Sequence, residues 1–169
     1  DNNYTEITDD EQSLTGTTDT NTAAEAKSYT GFTAKAFSQA NIKGDGSTVI
    51  SIYYDWETYA VTFNNYNGSQ ISSDTYRYGA TVSVPANPSK PSDETYTYEF
   101  AGWSPAVTIV TGAQTYTAQF NPVYINYTIT FVDYDNNEIS TKTDYHYGDS
   151  ITKPSDPTKR KYKFDKWLL

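Results

Sequence analysis

His146 is the only imidazole in the 169-residue chain, and it sits beside Tyr147-Gly148. No Ser or Asp shows through the pattern as its partner. An imidazole with nothing to activate or orient is a poor general base, so His146 reads as a residue of a surface strand. The stretch DYDNNE (133–138) puts Asp133, Asp135 and Asn137 at alternate positions, with Asp144 at the twelfth. That spacing imitates a calcium loop, which needs Gly at the sixth place and a bidentate Glu at the twelfth. Glu138 and Asp144 stand there instead, and the stretch reads as a turn. Asp9-Asp10-Glu11 reads as a solvated loop. The absence of cysteine removes disulfides, thiol nucleophiles and the usual zinc sites, and no glycine loop is built to cradle phosphate. The residues therefore point to no enzyme, no metal and no cofactor.

Two other chemistries remain. One is charge. Net charge is −9, which disfavours nucleic acid as a partner. From Thr152 onward six basic residues face two acidic ones, so the tail carries +4 and the remainder −13. Within it Lys159, Arg160, Lys161 and Lys163 are the candidate contact for an anionic polymer: teichoic acid, sulfated glycan or lipid headgroup. The other chemistry is aromatic. With 17 Tyr, 7 Phe and 3 Trp, exposed ring faces are available for stacking on sugar rings. No apolar run is long enough to span a bilayer, so no membrane insertion is expected.

These residues need elements to hold them, and composition points to sheet. Tyr and Thr suit a pleated, half-buried surface and are weaker helix formers. The chain also repeats itself. YAVTFNNYNGSQISSDTYRYGATVSVPANPSK (59–90) aligns with YTITFVDYDNNEISTKTDYHYGDSITKPSDPTK (127–159). Tyr59, Phe63 and Tyr66 fall on Tyr127, Phe131 and Tyr134; Lys90 falls on Lys159; Tyr98, Phe100 and Trp103 fall on Tyr162, Phe164 and Trp167. A residue type recurring at one offset from a strand marks a core position, so Trp103, Trp167, Phe63 and Phe131 read as repeat core rather than as a ligand site.

Each copy has a strand alternating about Phe63 or Phe131. A hairpin turn follows, of type I′ at Asn67-Gly68 and weaker at Asn136-Asn137. A second strand runs to Tyr-Gly, two prolines end the ladder, and a Tyr-x-Phe strand returns with Trp at its end. Residues 107–120 add a closing hairpin to the first copy. The last copy stops before any such strand and is expected to be incomplete, with an open edge unless a neighbour supplies the strand. The N-terminal third reads as a strand, a turn at Gly16, a stretch TAAEAKS suited to a short helix, and a turn at Asp45-Gly46. Trp56 lies at a junction, packed between units or exposed. The expected architecture is a linear tandem of three small, mainly β units: a partial one (1–56), a complete one (57–122) and a truncated one (123–169). Lacking an initiator Met, the chain reads as an internal fragment.

The run of Tyr-Gly, Pro-x-x-Pro and Tyr-x-Phe-x-x-Trp resembles the internalin-type B repeats, or Listeria–Bacteroides repeats, of bacterial surface proteins. Residues 13–55 resemble the mucin-binding-protein-like (MucBP-like) module that often precedes them. The resemblance implies β-grasp-like domains, secretion, a Gram-positive-type cell surface or cell wall, and a stalk that projects a head domain. It implies partners among neighbouring repeats and, as the alternative function, an adhesin module for host glycan or mucin using exposed Tyr or the basic cluster. The family pattern has Gly at position 102, and Lys166 takes that place in the last copy. It carries no catalytic residues.

Overall fold

The computed structural model describes residues 4–5 and 10–168, so Asp9 of the expected acidic loop lies outside the described residues. Among the described residues eight strands are formed: β1 (Phe32–Ala34), β2 (Tyr54–Trp56), β3 (Thr58–Asn64), β4 (Gln70–Arg77), β5 (Tyr96–Ser104), β6 (Gln114–Tyr124), β7 (Tyr127–Val132) and β8 (Glu138–Tyr145). They form three sheets, β1-β2, β4-β3-β6-β5 and β7-β8. The chain is mainly β, as its Tyr and Thr content dictates.

The four-stranded sheet sets the pattern. β3 and β4 pair antiparallel, β5 and β6 pair antiparallel, and β6 lies parallel to β3 with Phe63 opposite Tyr116. Outer antiparallel pairs around a parallel central pair give a β-grasp-like order. The crossover from β4 to β5 is extended rather than helical, and Pro85 and Pro88 within it deny a helix the backbone donors it needs. Alternation along β3 turns Val61 and Phe63 inward, where they meet Val82 of the crossover, Val110 and Tyr116. Tyr59, Tyr76, Trp103 and Val107 pack against this cluster. Burying a side chain of this size stabilises by about 1.5–3 kcal/mol, so the core is small but sufficient to organise one unit.

Several local expectations are corrected. The hairpin turns are not type I′. In the first copy Gly68 N–H donates to Asn65 O and only Gly68 has positive φ, at 83°. This is a type I turn through Tyr66 and Asn67, closed by a left-handed residue. The second copy repeats it one-for-one: Asn136 N–H donates to Asp133 O, and Asn136 takes φ 61° where Gly68 stood. Residues 107–120 form no hairpin. Residues 107–112 exchange hydrogen bonds with Gly79 and Ala80, and β6 then enters between β3 and β5. TAAEAKS is not helical, no strand precedes Gly16 among the described residues, and the turn falls at Thr18–Thr20. Ala, Glu and Lys in that stretch favour helix, but a piece so short cannot meet the cost of nucleation. The Tyr-x-Phe segment of the last copy, 162–168, is not a strand apart from the Lys159–Tyr162 bridge. In the first copy that strand is held by β6, and residues 127–168 contain no equivalent of β6. Lys166 accordingly does not share the bulge that Gly102 makes at φ 119°.

Candidate functional site

The two tryptophans face equivalent ring sets. Trp103 meets Phe63 edge-on at 4.8 Å and Phe100 at 5.5 Å; Trp167 meets Phe131 at 5.0 Å and Phe164 at 5.2 Å. Phe63 is fully buried, and Phe131, Trp103 and Trp167 are half-buried. Both indole N–H groups are buried without a hydrogen-bond partner among the described residues. Each indole is thus engaged by the phenyl rings of its own copy.

A second set of contacts recurs on the outside of each copy. Lys90 Nζ lies 3.4 Å from the ring centre of Tyr98 and 5.4 Å from that of Tyr66. Lys159 Nζ lies 3.0 Å from the ring centre of Tyr134 and 5.1 Å from that of Tyr162. The hairpin turn supplies one tyrosine, the Pro-rich crossover supplies the lysine, and the returning segment supplies the other tyrosine. A cation over a ring is attracted by the ring quadrupole, so this lysine fastens crossover to hairpin. Asp93 reinforces the first clamp. It accepts from Tyr98 OH at 2.6 Å and from the N–H groups of Thr95 and Tyr96. Those bonds, Tyr98 foremost, hold its carboxyl below the usual range, and Asp93 in turn pushes Tyr98 up.

This geometry divides the expected basic cluster. Lys159, Arg160, Lys161 and Lys163 are all exposed, but Lys159 is directed onto Tyr134, and Lys161 is in a left-handed turn at φ 69°. The DYDNNE stretch closes on itself. Asp133 accepts from the backbone of Asp135 and Asn137 and from the Asn137 amide. The Asn137 side chain first, then these backbone donors, lower the Asp133 carboxyl. No cluster of three metal-ligating side chains occurs among the described residues. His146 lies just past β8 rather than within a strand. It is half-buried, with its ring 4.7 Å from that of Tyr124 and its Nδ1 3.6 Å from Asp149.

The junctions between sheets are also aromatic. Trp56 is 45% exposed, yet one face lies 4.1 Å from Phe32 and the Arg77 guanidinium sits 5.8 Å from its ring centre. Gly31 is buried with φ 82°, and a Cβ there would enter the ring of Tyr78. Further along, Tyr127 OH donates to Glu94 O at 2.7 Å, and a hydrogen bond to Glu94 raises Tyr147. In the N-terminal part Asp10 accepts from Tyr29 OH at 2.7 Å and from Lys27 at 2.9 Å. That carboxylate pushes Tyr29 up to about 12, and Tyr29 and Lys27 lower Asp10. The lysine clamps and the Glu94 junction were absent from the sequence reading. The signal for the clamps was present in the repeat alignment, where Tyr66, Lys90 and Tyr98 recur as Tyr134, Lys159 and Tyr162.

The family model described as the Listeria-Bacteroides repeat domain matches residues 59–123 and again 127–169. A protein of Evansella cellulosilytica named "Putative Gly-rich membrane protein" is 26% identical over 132 residues, covering 72% of this chain and 15% of that protein. A second protein of the same organism, named "Putative membrane protein", is 29% identical over 128 residues, covering 70% of this chain and 18% of its own length. The chain thus spans under a fifth of either relative. No solved structure matches it. No helix of the described residues is long and apolar enough to cross a membrane.

Proposed function

The chain belongs to the Listeria-Bacteroides repeat family, and from that premise we propose that it is a run of extracellular spacer repeats of a bacterial cell-surface protein. In this reading the units 1–56, 57–122 and 123–169 act as beads that project a head domain and add weak adhesion. The repeats do no catalysis. One observation carries the reading: both copies turn the same residues to the same internal use. The Phe-Phe-Trp set and the Tyr-Lys-Tyr clamp each occur twice with matching partners. Two smaller contacts do the same. Thr62 and Ser73 hydroxyls meet at 2.9 Å where Thr130 and Thr141 meet at 3.0 Å, and Ser83 N–H donates to Tyr76 OH where Thr152 N–H donates to Tyr145 OH. Residues repeated because they hold a bead together need no ligand to explain them. Short connections such as Ile125-Asn126, between β6 and β7, make reach proportional to copy number.

A second reading is favoured by one feature. Tyr134 and Tyr162 flank Lys159 yet remain 69% and 72% exposed, so their outer faces are open to a glycan. Binding of the chain to mucin and to a sulfated glycan, at low and high salt, separates the two. The spacer reading expects at most weak binding that salt abolishes, through Arg160, Lys161 and Lys163. Saturable binding that survives high salt and is lost in Tyr134→Ala would refute it and establish the glycan module.

A further inference from the structure

Two turns of the chain share one polar arrangement. At Asp45-Gly46-Ser47 the Asp45 Oδ1 accepts from the Ser47 N–H at 2.9 Å and from the Ser47 hydroxyl at 2.7 Å. At Asn67-Gly68-Ser69 the Asn67 Oδ1 accepts from the Ser69 N–H at 3.0 Å and from the Ser69 hydroxyl at 2.7 Å. Both stretches are exposed, and both glycines have positive φ, 77° and 83°. The first turn shows what the two donors do to that oxygen. They stabilise negative charge on it, and the Asp45 carboxyl is lowered by the Ser47 backbone first and the Ser47 hydroxyl second. In the second turn the same donors hold a neutral amide, whose carbon is an electrophile. The next nitrogen along the chain belongs to Gly68, which has no side chain to shield it and open space around it. Asn67-Gly68 is the one Asn-Gly pair in the sequence.

We propose that Asn67 is a self-modification site: the Gly68 nitrogen attacks Asn67 Cγ, and the Ser69 N–H and hydroxyl receive the charge that develops on Oδ1. A bond forms between Gly68 N and Asn67 Cγ, and the Cγ–Nδ2 bond breaks. The proton lost by Gly68 N departs with Nδ2 as ammonia, and a succinimide ring remains. Water then opens the ring at either carbonyl, leaving aspartate or isoaspartate. The Gly68 N–H donates to Asn65 O at 2.9 Å, so the attack waits on opening of that exposed turn bond. Asp45 does not follow at neutral pH, because an ionised carboxylate is a poor electrophile. Nor does the second copy, where Asp135 stands in the Asn67 place and Asn136, with its Cβ, in the Gly68 place. Asp135 also shows that aspartate is accommodated there, so that product keeps the hairpin and adds a negative charge. Isoaspartate routes the main chain through Cβ and Cγ, lengthens it by an atom and breaks the turn that joins β3 to β4. The first hairpin thereby records the age of the chain, whether the repeats act as spacer or as glycan module.

The test ages the whole chain at neutral pH and in mild alkali. Peptide mapping by mass spectrometry follows each asparagine, and isoaspartyl methyltransferase reports isoaspartate. Asn67 should convert faster than every other mapped asparagine, Asn41 and Asn136 included, and faster in alkali, which removes the Gly68 proton. Gly68→Ala should slow the conversion about tenfold, since a Cβ shields the nitrogen and resists the positive φ. Ser69→Ala should slow it about two- to tenfold, the range of one hydrogen bond. That difference should vanish in urea, where the turn is lost and only local sequence remains. Ser69→Ala keeps the experiment decisive if the Gly68→Ala hairpin is too loose to compare. Conversion of Asn67 no faster than that of Asn136 overturns the proposal. So does a Ser69→Ala chain that keeps the native rate, and so does one slowed equally in urea.

Discussion

Phe63→Ala and Phe131→Ala remove the same residue from the same repeat position, yet the structure assigns them unequal costs. Phe63 is 2% exposed and packs against two rings, Trp103 at 4.8 Å and Tyr116 at 5.1 Å. A buried Phe→Ala change costs roughly 3–5 kcal/mol, transfer and cavity together, and lost ring pairs of about 0.5–1.5 kcal/mol each place this site at the upper end. Phe131 is half-buried and keeps one ring partner, Trp167 at 5.0 Å. With about half the burial and no Tyr116 counterpart, its replacement should cost about 1–2 kcal/mol. A unit of about 65 residues has a total stability of about 3–10 kcal/mol, so Phe63→Ala brings the four-stranded sheet close to unfolding. Hydrogen exchange in urea, followed separately on peptides from β3 and β7, reads each sheet by itself. β3 should lose most of its protection in Phe63→Ala, while β7 loses part of an already smaller protection in Phe131→Ala. Equal free-energy losses at the two sites would show that parallel pairing with β6 is not what deepens the first core.

Other outcomes follow from named contacts. Asn136→Gly should stabilise the β7–β8 hairpin by up to about 1 kcal/mol and Gly68→Ala should destabilise its counterpart by about 1 kcal/mol, both read as shifts in the urea midpoint, because each position is left-handed. Gly31→Ala should loosen the β1–β2 junction by about 1–3 kcal/mol, seen as a change in Trp56 fluorescence, since its φ is 82° and Tyr78 fills the space a Cβ needs. Lys159→Met should cost about 0.5–1 kcal/mol and speed exchange in 133–137, through loss of the cation over Tyr134. Alkali should also destabilise the chain. Tyr29 is raised to about 12 by Asp10, and Tyr98 and Tyr147 are raised by Asp93 and Glu94, so these bonds stabilise fully below the ordinary tyrosine value near 10 and are lost as pH climbs through the raised one. Ultraviolet titration should show tyrosines ionising late. The lowered Asp10, Asp93 and Asp133 act in the opposite direction, stabilising above their ordinary value near 3.8 and ceasing to do so as pH falls through the lowered one.

The sequence made the strands around Phe63 and Phe131 legible because alternation with one buried face has a fixed period. The tandem was legible because Tyr, Phe and Trp recur at constant offsets. The turn type was not, since Asn-Gly satisfies type I′ but also supplies the left-handed residue that closes a type I turn. Nor was the course of 107–120: a glycine between two apolar runs looks like a hairpin, and only the sheet reveals that Val110 bonds to Gly79 and Ala80 while β6 turns to β3 and β5. The basic run was read as one patch because sequence adjacency says nothing of direction. Lys159 turns to Tyr134 while its neighbours do not, a choice set by a hairpin 25 residues earlier.

The parallel pairing of β3 and β6 has a mechanical side. β3 is entered at Thr58 and β6 is left at Tyr124, and the two strands lie side by side pointing the same way. Tension along the chain pulls them by opposite ends. Their hydrogen bonds are then loaded in shear, all at once, rather than peeled open one after another. Such a bead passes force from one neighbour to the next without yielding at its weakest single bond. β7–β8, whose strands enter and leave at the same end, would unzip under the same load.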